Sequence, residues 1–558
     1  MFGNVLLKSG RRGQKRDISE YPVLSDYMRA PLPANRRWML TLGFFVCSLI
    51  IGYLFATLPT ESKFMMVVPL LLMAMFVVWL LPETGRPPTT ILTRLFFAYF
   101  IALVLWPYYL AIQIPGAPLI EIRRVLLLLS TFFLLVCFSV SDNFNRTMKE
   151  IMGSRPFFFK VFAGFFVAQV LSLAATLNFN VALMAFIRNQ LGWTVVLFIA
   201  MYVMSKPGRV LIFANIVRLM AVGLAILAIL EFRNGGILWA NHIPSFLQVS
   251  DPAMVKLLSP VFRAGEYRVT GTFSVSLCFA EFLALTLPFF LHYLMVGKNL
   301  LFKIIIVVCD LLVINAILLT QARVGLVCMA VVHGIYFFIW SLRLWRTHKN
   351  NVFGPALMLG YPVMLVVFGL AMTFIGRLRG MWLGGAEEGA SNIGRLEQMA
   401  KTPAILARRP LFGYGPSQGG RALGHTNQAG DLSIDSSLLS IPLDYGVVGF
   451  ICYCTMFIYM LVQGMKLASE ATDKEGSYAM PLAVVVAAWL TSRIVLSQED
   501  NASFMYMILG ALVALAYQRR KQKALEETGN KSVMGDEEFH QRERFPTGLG
   551  GPGRPVRA

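Results

Sequence analysis

The sequence predicts an all-α protein, a polytopic integral membrane bundle of about 12–14 transmembrane helices with a large, partly helical loop. Composition is the first reason: 56 % of the 558 residues are hydrophobic and only 14 % are charged, far fewer than a soluble chain carries. Repeated apolar runs are the second. Many reach the length of about 18 residues that a helix needs to cross a membrane, and helices satisfy their own backbone polar groups there.

Taken in order, the apolar runs give candidate spans separated by short polar turns. Arg188, Asn189 and Gln190 interrupt the sixth run, which favours an interfacial start and a span only from Leu191. The candidate spans are Trp38–Leu58, Phe64–Leu81, Ile91–Ile112, Ile122–Ser141, Phe157–Leu177, Val181–Met204, Val210–Leu230, Thr272–Val296, Ile304–Thr320, Val324–Leu342, Val352–Ile375, Pro442–Met465, Tyr478–Leu496 and Ala502–Tyr517.

The basic residues predict the orientation of this bundle. The formal net charge is +20, and Lys and Arg concentrate in short loops and in the two tails. By the positive-inside rule, the basic tail 1–37 and the tail 519–558 are cytoplasmic, and 38–518 is the transmembrane domain. The loops 231–270 and 377–441 then lie on the outer side of the membrane. The tail from 519 is mixed in charge and rich in Gly and Pro at its end, so it is predicted to be disordered.

Charge and cysteine content exclude other classes. No nucleic-acid recognition module accompanies the basic residues, so nucleic acid is not an expected partner. All seven Cys lie in apolar runs and are interpreted as small core residues rather than disulfides or zinc ligands. The polar segment 1–37 does not have the pattern of a cleavable signal peptide.

Two arginines stand at predicted outer ends of helices. Arg268 in RVTGTF precedes a helix start, where a guanidinium and free helix N–H groups suit a phosphate. A snorkelling interfacial Arg is the alternative. Arg323 in TQARVG is the sole charge of a tight turn on the side where short loops usually lack Arg, which favours a specific anionic partner. Pairing with a nearby acid or a lipid phosphate is its alternative.

The loop 377–441 supplies further candidates. Arg395 and Arg421 are possible substrate-binding cations, and His425 and Asp435 can titrate. Asp435 lies where a helix should begin, so an N-cap is as plausible for it as catalysis. A His in a Gly-flanked loop, such as His425, is more often a solvated surface residue.

The apolar segments contain acids as well. Glu281 and Asp310 are predicted at similar depth on consecutive helices, and charges inside a membrane are usually functional or paired. A pair formed by these two acids would be compatible with proton coupling.

Together these stretches resemble the O-antigen ligase/polymerase family of bacterial envelope enzymes. The resemblance covers roughly 268–450. It rests on the order of the motifs along the chain and on their placement relative to the membrane. The motifs are RVTGTF from Arg268, QARVG from Gln321, GRLEQM from Gly394, RRPLFGYGP from Arg408 and IDSSLLSIPLDYGVVGF from Ile434.

Two positions depart from the family pattern. Asp435, followed by Ser436, stands where the ligases carry the His of His-Asn-x-x-Leu, and Gln398 stands where they carry Trp. The replacement of the His favours a polysaccharide polymerase over a ligase that joins polymer to lipid A-core.

The resemblance implies an inverting glycosyltransferase that needs no metal or cofactor. Its donor would be an undecaprenyl-pyrophosphate-linked glycan and its acceptor a sugar hydroxyl, with a chain-length regulator as a further partner. Arg268 and Arg323 would stabilise the departing pyrophosphate. Asp435, or else His425, would act on the acceptor hydroxyl.

Two other classes remain as alternatives. A transporter of lipid-linked oligosaccharides or a proton-coupled carrier would use Glu281 and Asp310, but the sequence lacks the internal repeat and paired broken helices usual in carriers. A scaffold within an envelope synthesis complex is the other.

Overall fold

The structure is a computed structural model. It describes residues 87–107, 109–113, 119–250, 252–263, 265–347, 386–426 and 432–544, together with isolated residues within 38–78 and 352–374. By internal contacts the chain divides into two units, and the larger, Ile91–Thr131 with Met148–Ala558, holds the candidate site. In the smaller, the Ser139 hydroxyl donates to the Val78 carbonyl at 2.6 Å.

Helices account for nearly all regular structure in the described part. The one sheet there is a hairpin in which β1 (Phe262–Arg263) pairs antiparallel with β2 (Glu266–Tyr267). The helices in order are α1 Thr89–Leu105, α2 Ile122–Val140, α3 Asp142–Met152, α4 Pro156–Leu173, α5 Phe179–Asn189, α6 Val196–Met204, α7 Arg209–Asn234, α8 Pro252–Leu257, α9 Ser276–Val296, α10 Leu300–Leu319, α11 Arg323–Thr347, α12 Ala386–Leu406, α13 Gly419–Leu423, α14 Ser437–Glu470, α15 Ala479–Ser492 and α16 Ala502–Arg544.

The predicted helical membrane fold is confirmed. Among the described residues, nine helices are long and apolar enough to cross a membrane. The helices α1 and α15 are apolar but shorter. The predicted spans Trp38–Leu58, Phe64–Leu81 and Val352–Ile375 lie almost wholly outside the described residues.

The sixth predicted span differs from its expectation. Instead of an interfacial helix followed by a span, α5 and α6 form one apolar helix, Phe179–Met204, joined by a π-helical turn at Gln190–Val195. Asn178 caps its start by accepting a hydrogen bond from the Val181 N–H at 3.2 Å. Arg188, Asn189 and Gln190 therefore lie within one continuous apolar helix. Their polar side chains must have another role than to mark a helix at the membrane interface.

The C-terminal segment also differs. Disorder is expected from 519, whereas α16 continues to Arg544, and 545–558 lie outside the described residues. The segment after the span is rich in Lys, Arg, Gln, Glu, Ala and Leu, which all favour helix. The loop 377–441 is partly helical as predicted, since it contains α12 and α13.

The helix α9 forms the centre of the larger unit. Its residues are buried almost without interruption from Ser276 to His292, and it packs against α7, α10, α11 and α15. Beside it the rings of Phe100, Phe213 and Phe504 stack, with centroids 4.8–6.1 Å apart. Because lipid tails are as apolar as these side chains, close packing rather than exclusion of water holds such helices together.

Candidate functional site

A cavity of about 630 Å³ lies at one end of the helices of the larger unit. It is found where α1 and α15 end and where α2, α9, α14 and α16 begin. Its lining residues are Tyr99, Leu103, Glu121, Arg123, Arg124, Leu127, Arg188, Asn189, Gly192, Trp193, Met254, Ser274, Ser417, Gly420, Ile434, Ser440, Asp444, Ser497, Glu499, Asp500 and Ser503. Such a volume is typical of small-molecule sites.

The cavity reaches into the helical part of the bundle. The start of α5 lies at the same end, because Thr176 contacts the loop at Gly415, where an added Cβ would be 2.6 Å from the Thr176 hydroxyl oxygen. Arg188 is nine residues beyond Phe179, which corresponds to about 14 Å along a helix. The π-helical turn follows directly, and its Gly192 allows Ser503 of α16 to approach closely. Arg188 and Asn189 of this span thus line the cavity, whereas the Gln190 amide donates to Gln169 at 2.8 Å. Turns of π-helix often mark functional sites.

Most acidic side chains of the cavity bind protein groups. Glu121 forms ion pairs with Arg123 at 3.0 Å and with Arg124 at 2.8 Å. Asp500 accepts a hydrogen bond from the Ser274 hydroxyl, which joins the start of α16 to the start of α9. These two acids therefore fix the wall of the cavity.

Asp444 fixes the loop that precedes α13. Its carboxylate accepts hydrogen bonds from the backbone N–H of Ser417 at 3.1 Å and of Gly419 at 2.6 Å. Its carbonyl accepts one from Gly415 at 2.9 Å. Gly446 has a φ of +69°, and an added Cβ there would lie 2.1 Å from the Leu411 carbonyl oxygen. The RRPLFGYGP and IPLDYGVVGF segments are therefore docked backbone against backbone at the rim of the cavity.

Glu499 and Arg188 differ from the other charges of the cavity. Both side chains are exposed, and neither has a hydrogen-bond or ion-pair partner among the described residues. Burial by the surrounding protein raises the pKa of Glu499, and the positive charge of Arg188 partly opposes this shift. The carboxylate is thus accessible from the cavity, while protein replaces bulk water around it. A cation and an anion without protein partners can each bind a substrate group.

A buried ion pair holds the segment that carries Glu499. Arg493 and Glu281 are 2 % and 0 % exposed and are in contact, and the Asn501 amide donates to the second Glu281 oxygen at 2.9 Å. The Arg493 guanidinium also lies 3.8 Å from the centroid of the Trp489 ring and donates to the Gln498 carbonyl at 2.7 Å. The chain on both sides of Glu499 is therefore fixed.

The first predicted arginine belongs to a separate, well-ordered loop. Arg268 donates from Nε to the Thr320 carbonyl at 3.2 Å, so it lies against the turn that precedes Arg323. Glu231 holds the loop by accepting hydrogen bonds from the N–H groups of Thr270 and Gly271, each at 2.9 Å. Burial lowers the pKa of Arg268 to about 10, with a smaller effect of Arg263. The structure brings the two predicted arginine stretches together.

Asp435 and His425 lie against α12, the helix that carries Arg395. Arg395 lies 3.6 Å from the Asp435 carboxylate, and the Asp435 N–H donates to Gln398 at 3.0 Å. His425 lies 3.9 Å from Glu397, which is also on α12. Arg421 is exposed on α13.

The alternative of Asp435 as an N-cap is wrong. The cap of α14 is Ser436, whose hydroxyl accepts a hydrogen bond from the Leu438 N–H at 3.2 Å. Ser436 is better placed because the helix begins one residue later than Asp435 would require.

The expected pair of Glu281 and Asp310 does not form. Glu281 binds Arg493, whereas Asp310 lies 3.4 Å from the His333 ring. The local sequence predicts that both acids lie within helices. It does not show which face of each helix packs against the other helix. The structural basis for a proton-coupled pair of these acids is therefore absent.

None of the six predicted site residues lines the cavity, although their neighbours do. Ile434 precedes Asp435, Gly420 precedes Arg421, and Ser274 follows the Arg268 loop. Sequence reasoning missed Glu499 and the two adjacent arginines Arg123 and Arg124. It treated Arg188 only as an interruption of the sixth apolar run. A signal was present, since each of these charges adjoins or interrupts an apolar span.

The structural picture agrees with the comparison to known families. Residues 308–454 match the family model described as O-antigen ligase. This segment is similar to the O-antigen ligase family. This confirms the resemblance predicted from the sequence. No curated protein matches the chain.

The O-antigen ligase domain contains only part of the cavity wall. It includes Arg323, α12, Asp435 and Asp444, whereas Arg188 and Glu499 lie outside it on both sides in sequence. The RRPLFGYGP and IPLDYGVVGF segments therefore form part of the rim, and segments beyond the matched region supply Arg188 and Glu499.

Proposed function

We propose that this integral membrane protein polymerises exopolysaccharide or O-antigen repeat units. The O-antigen ligase domain supports a ligase- or polymerase-type function in general. The donor would be an undecaprenyl-pyrophosphate-linked glycan and the acceptor a hydroxyl of a second lipid-linked glycan. The observation that carries the proposal is the cavity at one end of the helices. It is lined by Arg188, which has no ion-pair partner among the described residues, and two of the family motifs pack at its rim.

The reaction would take place at the periplasmic face of the bacterial inner membrane. In this orientation both tails are cytoplasmic, and the loops 231–270 and 377–441 meet the cavity from outside. A lipid-linked donor would stay in the bilayer and present its pyrophosphate at the helix ends.

The chemistry asks mainly for charge and placement. The C1–O bond to the pyrophosphate breaks, so cations near that oxygen lower the barrier by stabilising the developing negative charge. Arg268 and Arg323 are the proposed cations, and Arg395 and Arg421 are proposed to bind glycan. Asp435 and His425 are the acceptor-directed groups that the family pattern suggests. A single displacement would invert the configuration at C1, with no metal or cofactor in the proposed mechanism.

A ligase that joins polymer to lipid A-core is the second candidate, because the matching family model is described as O-antigen ligase. It would use the same donor, with a different acceptor in the cavity. Asp435 in place of the ligase His favours the polymerase.

Lipid-linked intermediates in a deletion strain test the proposal. Loss of a polymerase leaves single lipid-linked repeat units, whereas loss of a ligase leaves lipid-linked polymer. Thin-layer chromatography and mass spectrometry of extracted lipids distinguish the two. Normal surface polymer and normal lipid pools in the deletion strain would contradict both.

A further inference from the structure

We propose, building on the function proposed above, that Glu499 is the catalytic carboxylate that binds the acceptor hydroxyl and takes its proton, in the cavity that Arg188 also lines. Neither residue belongs to the matched family domain.

The first argument is the state of the four acids that line the cavity. Glu121 is paired with two arginines, Asp444 holds two backbone N–H groups, and Asp500 accepts from Ser274. Glu499 accepts no hydrogen bond from any described residue, although it lines the same cavity. A carboxylate without a protein donor is the one whose oxygens can accept a substrate O–H.

The second argument is the rigidity of its support. The Ala502 N–H donates to the Glu499 carbonyl at 2.9 Å, which ties Glu499 to the start of α16. Arg493 binds the Gln498 carbonyl on the other side, and buried Asn501 binds the Cys278 carbonyl at 2.8 Å. A general base must be held within reach of its proton, and these contacts fix the backbone that carries it.

The electrostatic environment of Glu499 also favours this role. Burial by the surrounding protein raises the pKa of Glu499 above that of a free glutamate, which makes its carboxylate a stronger proton acceptor. Arg188 faces the same cavity and moderates this shift. Its guanidinium favours an anionic group of a substrate bound in the same cavity.

The groups suggested by the family pattern are placed differently. Asp435 lies 3.6 Å from Arg395 and binds Gln398 through its N–H. His425 lies beside Glu397. Neither lines the cavity, whereas Glu499 does.

The proposed step balances without a further reactant. The acceptor oxygen forms a bond to C1 of the donor sugar, and the C1–O bond to the pyrophosphate breaks. Its electron pair leaves with the lipid pyrophosphate. The proton of the acceptor hydroxyl goes to a Glu499 carboxylate oxygen.

The test uses full-length protein in lipid nanodiscs and, as substrate, the lipid-linked repeat unit isolated from the deletion strain. Glu499→Gln keeps the size and shape of the side chain, but its amide does not act as a general base. We expect kcat to fall about 10²–10⁴-fold with little change in KM. Glu499→Asp should retain intermediate activity. Glu266→Gln, which changes an exposed carboxylate of the hairpin, is the matched control and should behave as wild type.

The pH profile supplies a readout that a structural role would not change. Wild-type kcat should rise with pH as Glu499 loses its proton, and Glu499→Gln should lack that rise. The titratable and charged groups that line this cavity or act on Glu499 are Tyr99, Glu121, Arg123, Arg124, Arg188, Asp444, Tyr445, Tyr453, Arg493, Asp500 and Tyr506, and all are unchanged in this variant.

The outcomes separate the two proposals. A folded Glu499→Gln protein with activity within about threefold of wild type would overturn the assignment of Glu499 while the polymerase stands. The same holds if Asp435→Asn, and not Glu499→Gln, removes the rise with pH. Failure of the wild-type protein to transfer glycan would contradict the proposed function itself.

Discussion

Removing the carboxylate of Glu281 should leave the Arg493 guanidinium buried without a counter-ion. Arg493 is 2 % exposed, and its charge is balanced by Glu281 across 212 residues of sequence. Glu281→Leu leaves that charge without its anion and leaves the Asn501 amide without one acceptor. Breaking a buried pair in this way costs about 3–5 kcal/mol.

The double variant Glu281→Leu/Arg493→Met tests the origin of this cost. It removes both charges and keeps apolar volume, so it should regain much of the stability lost by Glu281→Leu. At about 2 °C per kcal/mol, the single variant should lower the apparent Tm by about 6–10 °C. Loss of monodisperse protein after heating in detergent, followed by size-exclusion chromatography, measures this.

The ion pair should also matter for activity, because it supports the segment that carries Glu499. The double variant is expected to fold but to transfer glycan slowly. An unchanged Tm for Glu281→Leu would refute the reasoning, since it would mean that Arg493 finds another partner or leaves the core.

Three further predictions concern the rim and the cavity. Gly446→Ala places a Cβ against the Leu411 carbonyl at a φ of +69°, so it should destabilise the protein by at least about 1–2 kcal/mol, whereas Gly223→Ala on α7, which has open space, should not lower the Tm. Asp444→Asn keeps only one acceptor oxygen for two backbone N–H groups and should cost about 1–3 kcal/mol; an unaltered Tm would contradict the docking of this loop. For Glu499→Gln, chain lengths in cells should collapse to single repeats while the protein level on immunoblots is normal.

Much of the fold could be predicted from the sequence because hydropathy is a local property. Long apolar runs such as Val210–Leu230 and Thr272–Val296 correspond to α7 and α9. The family motifs were equally local, and the structure brings Arg268 to the turn before Arg323 and Asp435 to Arg395. Whether these residues act on substrate stays a prediction.

The cavity could not be predicted in the same way, because its charges come from distant segments. Arg188 lies on α5, Glu121 at the start of α2 and Glu499 after α15, and no local pattern states that these helix ends meet. The partner of Glu281 illustrates the same limit. Hydropathy gives its depth in the membrane but not its direction, so Asp310 was expected and Arg493 is found.

Glycan transfer by the purified protein is the direct test of the proposed polymerase activity. Wild-type protein in nanodiscs is incubated with the isolated lipid-linked repeat unit, and glycan length and released undecaprenyl pyrophosphate are measured together. The account predicts a ladder of longer lipid-linked glycans, one lipid pyrophosphate released for each bond formed, and the same rate with a metal chelator present. Unchanged glycan length with no release of lipid pyrophosphate would contradict it.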